Sequence, residues 1–249
     1  MLLERITFTG VDSKTDLARA IEIAKASPTP IEYGILVSES GAGLKPRYPS
    51  IEEARAIITT LREAGLPVAL HVCGRWSREL LKGEARLFKA FPPDLGYKRL
   101  QWNINPPGRT EAKRAKWNVA GTSEVLWKHF FGMIEGARLI MQRHSESSVM
   151  LYEALRENHI PVPADILFDA SGGRGEVNTT WPEPIGNFCG YAGGFSPENV
   201  EERVCDLGEF LPEDQLIWID MESGVRTEDI FDLDKVESVA RSVERVVPE

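Results

Sequence analysis

The chain has 249 residues, 42% of them hydrophobic and 27% charged, which is ordinary globular composition for one large domain or two small ones. A formal net charge of -9 and a pI near 5.2 exclude a sequence-independent grip on nucleic acid, which needs a basic face, while leaving room for a local basic pocket. No apolar run approaches a membrane span, and the apolar part of the N-terminus MLLERITFTG is too short for a signal peptide, so a cytoplasmic protein without membrane contact is expected.

Taken in order, Arg5 to Thr9 alternates polar and apolar residues as a strand, and Asp16 to Ala26 carries apolar residues at helical spacing. Asp12 and Asp16 read as helix-entry residues. Ile31 to Ser38 is a second, buried strand. After a loop containing Lys45-Pro-Arg-Tyr48, Ser50 to Ala64 is helical, and Ser50 with Glu53 forms a capping box in which hydroxyl and carboxylate each satisfy an orphan backbone donor. Gly65 and Pro67 end that helix and open strand three, Val68 to Cys73. A helix is predicted over Ser77 to Ala90 and strand four over Arg99 to Asn103. An irregular, insertion-like segment follows at about 104–122. Ser123 to Glu135 predicts a helix, Arg138 to Gln142 strand five, Ser145 to Asn158 a helix and Ile166 to Ala170 strand six. A long loop, Ser171 to Asn187, precedes strand seven at Cys189 to Gly193. Ser196 then reads as the N-cap of a helix with Pro197 in its first turn. Ile217 to Met221 is strand eight, and Leu233 to Val246 is the last helix.

Eight strands alternating with helices, at this length and without a Gly/Pro/Ser-rich linker, predict a single (β/α)8 barrel in the α/β class, with its active site at the C-terminal ends of the strands. Three late strands end in glycine: LFDASGGRG, GYAGGF and DMESGV. Such ends leave backbone N–H groups at a rim that no side chain blocks, where an anion can sit. Gly193, Gly194, Ser223 and Gly224 are therefore candidate phosphate binders, with plain tight turns as the structural alternative. Gly172, Gly173 and Gly175 form either a lid or a flexible loop. Asp169 ends an apolar strand, where a buried carboxylate is costly unless hydrogen-bonded or used in chemistry; an N-cap or an ion pair to Arg174 is the alternative.

Period-two alternation puts Ala69, His71 and Cys73 on the inward face of strand three. His71 and Cys73 are thus candidate bases near the mouth, against the reading of a core histidine and an inert thiol. His144 is a similar candidate. Cys73, Cys189 and Cys205 are odd in number and lack CxxC spacing, so neither a disulfide framework nor a zinc site is indicated. His71, Asp169, Asp220 and Glu222 come from different strand ends, and nothing in their spacing demands a metal. Trp102, Trp117, Trp127 and Trp181 read as packing residues, with Trp181 also placed to cover a ligand ring. No lysine stands at an inward strand end, which disfavours a Schiff-base aldolase.

Several of these stretches, in this order, resemble the phosphoribosylanthranilate isomerases of tryptophan biosynthesis. ITFTGVDSKTD is similar to that family's first strand and turn, KPRYPSIEEA to its SPRYVS-type loop, and LFDASGGRG to its strand-six Asp and Gly-rich loop. AGGFSPENVEE is similar to its AGGL-PENV signature and DMESGVRT to its DVSSGVE. The resemblance implies an Amadori-type aldose–ketose isomerisation of a phosphoribosyl compound, without a cofactor, in a monomer or homodimer. It assigns Asp169 as general acid and Arg47 as the group near the anthranilate carboxylate, where a guanidinium fork holds an anion. The family's strand-one base is a Cys in a Cys-Gly-Ile-Thr pattern, and Thr9 stands there in Thr9-Gly-Val-Asp12. A hydroxyl with a pKa far above neutrality does not replace a thiolate without further activation. Its Gln-Leu-His-Gly strand-four pattern is Gln101-Trp-Asn-Ile104 here. The expected function is thus an isomerase-like barrel with an altered base, binding a phosphorylated small molecule. The rivals are a non-catalytic phosphate-ligand-binding barrel and an enzyme of other chemistry, a lyase or metal-dependent hydrolase, on the same fold.

Overall fold

Short β-branched and aromatic runs, each followed by a helix, leave every strand a parallel neighbour to pair with, and here the pairing closes on itself. The computed structural model describes residues 1–104, 118–134, 136–144, 146–157, 164–169 and 180–246. Its strands are β1 (Leu2–Thr9), β2 (Ile31–Val37), β3 (Val68–Val72), β4 (Arg99–Trp102), β5 (Arg138–Arg143), β6 (Ala164–Asp169), β7 (Phe188–Ala192) and β8 (Leu216–Met221). They form a closed barrel in sequence order, with β1 parallel to both β2 and β8. The predicted (β/α)8 barrel is the fold.

The helices are α1 (Leu17–Ala26), α2 (Ile51–Glu63), α3 (Gly74–Leu80), α4 (Leu87–Ala90), α5 (Val119–Val125), α6 (Glu146–Glu157), α7 (Val200–Phe210) and α8 (Leu233–Glu244). Asp16 caps α1 through the Arg19 N–H, and the Ser50–Glu53 capping box opens α2 as its sequence predicts. Asp12 does something other than open a helix. Its buried carboxylate accepts from Arg226 at 3.0 Å and from the Phe231 N–H at 2.9 Å, tying the β1 loop to the chain beyond β8.

Three helix boundaries differ from expectation. The helix predicted over Ser77 to Ala90 is two short ones, broken at Gly83, whose φ of 76° is left-handed. Ser196 is not an N-cap: Ser196-Pro-Glu forms a turn whose Ser196 N–H donates to Asn199 Oδ1, and α7 begins after Asn199. The helix predicted over Ser123 to Glu135 starts earlier, at Val119, then widens into a π-helical turn (Leu126–Phe130) and tightens to a 3-10 turn (Phe131–Ile134). The insertion-like segment therefore ends in helix; 105–117, with Trp117, lies outside the described residues.

The core has two compartments. Outward strand residues such as Val68, Leu70 and Val72 pack against the helices in one large apolar cluster. Inside the barrel, Ile140, Leu167, Ala192 and Trp218 form a smaller one. Gly190 makes room for the Trp218 indole, since a Cβ there would stand 2.7 Å from ring atom Cδ2. Toward the N-terminal end the interior is ionic: Arg99 pairs with Glu32, bonds Thr7 at 3.1 Å and stacks on Trp218 with 4.4 Å to the ring centroid. No helix among the described residues is long and apolar enough to cross a membrane.

Candidate active site

Parallel strands with alternating side chains each deliver a last inward residue to the C-terminal mouth. Here Thr9, His71, Gln101, Gln142, Asp169, Ala192 and Asp220 do so, lining one cavity of about 390 Å³. On β2, where Leu36 is the last inward residue, the position beside Thr9 is Gly34. A Cβ at that position would lie 2.6 Å from Thr9 Oγ1 and 2.9 Å from His71 Nε2, so its absence lets those two side chains approach.

The floor is polar, and its groups are mutually bonded. Thr9 Oγ1 donates to Asp220 Oδ1 at 2.7 Å, and His71 Nε2 lies 3.5 Å from the same hydroxyl oxygen. Gln142 Nε2 donates to Asp169 Oδ2 at 2.6 Å. Gln101 Nε2 donates to Asn103 Oδ1 at 3.1 Å, while the buried Gln101 Oε1 has no partner among the described residues. Burial pushes the Asp220 carboxyl up to about 7; the Thr9 hydrogen bond and Arg99 oppose that rise, while Glu222 and Asp169 add to it. Burial, helped by Arg99, drives the His71 imidazolium down to about 3, so the ring is neutral near pH 7.

The rim comes from the loops after β7 and β8. Gly193 and Gly194 have φ values of 104° and 73°, which only glycine adopts freely. The Gly193 carbonyl accepts from Arg203 Nη2 at 3.2 Å and the Gly194 carbonyl from Asn199 Nδ2 at 2.7 Å. A trans peptide holds N–H and C=O on opposite sides, so the N–H groups of Gly194 and Phe195 point away from those partners. Gly224 brings the second loop against the first: a Cβ there would overlap the Phe195 carbonyl oxygen and stand 3.0 Å from Ser196 Cα. Ser223 and Gly224 complete the same wall of the cavity.

Of the residues singled out in the sequence, Thr9, His71, Asp169, Gly193, Gly194, Ser223 and Gly224 share this cavity. Gly172, Gly173, Arg174 and Gly175 lie outside the described residues. Arg47 and Cys73 stand off the cavity wall. The Arg47 guanidinium donates to Glu222 at 2.8 Å and, through Nε, to Asp229 at 2.8 Å, so its fork is filled by the protein's own carboxylates. Cys73 flanks the first turn of α3, where its sulfur accepts from Asn103 Nδ2 at 3.0 Å, and burial pushes its thiol up to about 12. A thiol so placed is not ionised near neutrality. His144 turns its Nε2 to the Ile104 carbonyl at 3.2 Å. Trp181 packs among Tyr191, Phe195 and Arg203 beside the rim. Asp220, Glu222, Gln101 and Gln142 were legible only in part: Asp220 carries the same signal as Asp169, a carboxylate ending an apolar strand. Among the described residues no three His, Cys, Asp or Glu side chains are grouped to hold a metal ion.

No protein-family model matches the sequence, and no curated protein does. Among solved structures the chain is similar to N-(5'-phosphoribosyl)anthranilate isomerase from Pyrococcus furiosus, with a TM-score of 0.53 and 19% identity over 99% of this chain and 100% of that one. It is also similar to a sugar phosphate isomerase/epimerase from Parabacteroides distasonis, at TM-score 0.53 and 11% identity over 98% and 97% of the two chains. A tryptophan synthase from Mycobacterium tuberculosis matches at TM-score 0.56 and 12% identity, over 99% and 93%. Identities this low establish the shared architecture alone, and the chain is accordingly a (β/α)8, or TIM, barrel.

Proposed function

We propose that the mouth of this barrel binds a phosphorylated sugar or phosphoribosyl compound and catalyses an intramolecular aldose–ketose type isomerisation. The observation that carries this reading is the meeting of a carboxylate floor and a glycine rim around one small cavity. The cavity is of a size for a small phosphorylated sugar. Backbone N–H groups of the Gly193–Phe195 turn, with Ser223 and Gly224, offer a cradle for the phosphate, and no lysine or arginine lines the cavity among the described residues.

Moving a carbonyl from C1 to C2 of a sugar requires one proton to leave carbon and return to its neighbour, and another to pass between two oxygens. In this reading Asp169 takes the second task, a role supported by its hydrogen bond from Gln142 and its position on the cavity wall. As donor to the substrate oxygen it acts as general acid, a contribution of about 10²–10⁴ in rate. The resemblance in motif order to phosphoribosylanthranilate isomerases supports the same reaction class. The spent fork of Arg47 separates this site from one that grips a free carboxylate.

The test is turnover and binding together. Inorganic phosphate and phosphorylated aldoses should each raise the melting temperature by mass action. Asp169→Asn should abolish isomerisation while keeping those shifts, and unchanged turnover in that variant would remove Asp169 from the chemistry. A second reading, a binding barrel without turnover, draws on Thr9, which stands where the resembling family keeps its base. Binding without turnover in the wild type, with isomerisation gained in Thr9→Cys, would select it.

A further inference from the structure

The reaction needs a group that takes the proton from carbon, and Thr9, the residue at the expected position, spends its own proton elsewhere. We infer that Asp220, at the end of β8, is the catalytic residue that accepts and returns the carbon-bound proton, with Thr9 and His71 as positioning residues that aim it. The inference rests on the isomerase reading and adds the base to it.

The geometry is convergent. The Thr9 hydroxyl has one hydrogen, and at 2.7 Å it lies on Asp220 Oδ1. Its oxygen is then free only to accept. The neutral His71 ring, 3.5 Å away at Nε2, is at the outer limit of a hydrogen bond and suits the tautomer with the proton on that nitrogen. The chain of donors therefore runs from His71 to Thr9 to Asp220 and ends on a carboxylate. Gly34 keeps the space that this chain occupies. Asp220 itself is buried yet lines the cavity.

The titratable groups around Asp220 come from several strands: Arg99 of β4, Asp169 of β6 and Glu222 after β8, with the uncharged His71 of β3 beside Thr9. Burial and the Glu222 carboxylate hold the proton on Asp220, and Arg99 with Thr9 releases it, so the group exchanges near neutrality. That is the range in which a general base works best. His71 is too weak a base at its depressed value, and Cys73 stands off the cavity.

In the step itself the substrate C2–H bond breaks and an O–H bond forms on Asp220. The C–H electron pair becomes the C1=C2 bond of an enediol, or an enolamine for an amine-bearing substrate, while the former C1 heteroatom receives a proton from Asp169. Asp220 then returns its proton to C1, the oxygen on C2 loses its own to Asp169, and the carbonyl stands at C2. Both carboxyl groups end as they began, with no oxidant, reductant or co-reactant.

The experiment pairs turnover of a panel of phosphorylated aldoses, including D-ribose 5-phosphate, with ¹³C NMR of carboxyl-labelled aspartate. Asp220→Asn is expected to lower turnover by about 100-fold or more with the phosphate-induced thermal shift retained. The NMR should show a carboxyl titrating at about pH 7 that vanishes in this variant. Thr9→Val should move that titration, and the acidic limb of kcat/KM, to higher pH, because a donor that favours the ionised form is lost; Thr9→Ser should restore both. Turnover of Asp220→Asn within about threefold of an active wild type overturns the inference alone. So does a Thr9→Val titration that fails to move. A wild type inactive on the whole panel overturns the isomerase reading and this inference together.

Discussion

Gly224→Ala is the sharpest test of how the rim is built. The added Cβ would overlap the Phe195 carbonyl oxygen and stand 3.0 Å from both that carbonyl carbon and Ser196 Cα. All three are backbone atoms, so no side chain can swing aside. Restoring ordinary contact distances requires the loops after β7 and β8 to part by roughly 1–1.5 Å. Overpacking of this kind costs about 1–3 kcal/mol, and in a chain of this size each kcal/mol lowers the melting temperature by about 2–4 °C. A displacement near 1 Å at a positioning group also costs about 10²-fold in rate. The assay combines urea unfolding with the thermal shift produced by inorganic phosphate. The expected outcome is a lower unfolding midpoint and a weakened phosphate shift. An unchanged midpoint would refute the close approach of the two loops, and a lower midpoint with the full phosphate shift would remove the rim from anion binding.

Gly190→Ala should destabilise by about 1–3 kcal/mol, because its Cβ would overlap the buried Trp218 ring that also carries Arg99; calorimetry or urea unfolding would reveal it, and an unchanged midpoint would contradict the layer packing. Glu32→Ala leaves Arg99 buried without its carboxylate and should cost about 3–5 kcal/mol in the same assay, whereas a loss below about 1 kcal/mol would mean that water or another group reaches the guanidinium. Stability should also depend on pH through Asp220. Its folded-state value is raised from 3.8 to about 7, so its contribution is fully present below 3.8 and is lost as pH rises through about 7. Asp220→Asn should therefore flatten the decline in stability across that window relative to wild type, and parallel pH profiles would rule out the shift.

Local features were readable wherever a few consecutive residues determine them. The Ser50–Glu53 box and the Asp16 cap follow from short-range hydrogen bonds, and strand runs followed by helical periodicity place the barrel. Helix interruptions were less legible. Gly83 sits within a helical pattern and breaks it because it is held left-handed, and Ser196, followed by Pro197 as a cap would be, instead opens a turn whose N–H donates to Asn199 Oδ1, so that α7 starts only after Asn199. Period two correctly put His71 inside the barrel, yet the same rule sent Cys73 to the mouth, where the strand has already ended and the chain turns into α3.

By itself, then, the sequence determined the eight-stranded alternation, the glycine ends of β7 and β8 and the carboxylate of Asp169, because each is written in consecutive residues. Tertiary structure alone decided which side chains pair with one another. Arg47 meets Glu222 and Asp229, and Thr9 meets Asp220, across 175, 182 and 211 positions of sequence. Closure of β8 onto β1 brings the last pair together, and burial at that seam raises the Asp220 carboxyl toward neutrality. Partner and dielectric are properties of the closed barrel, so no local pattern announces them.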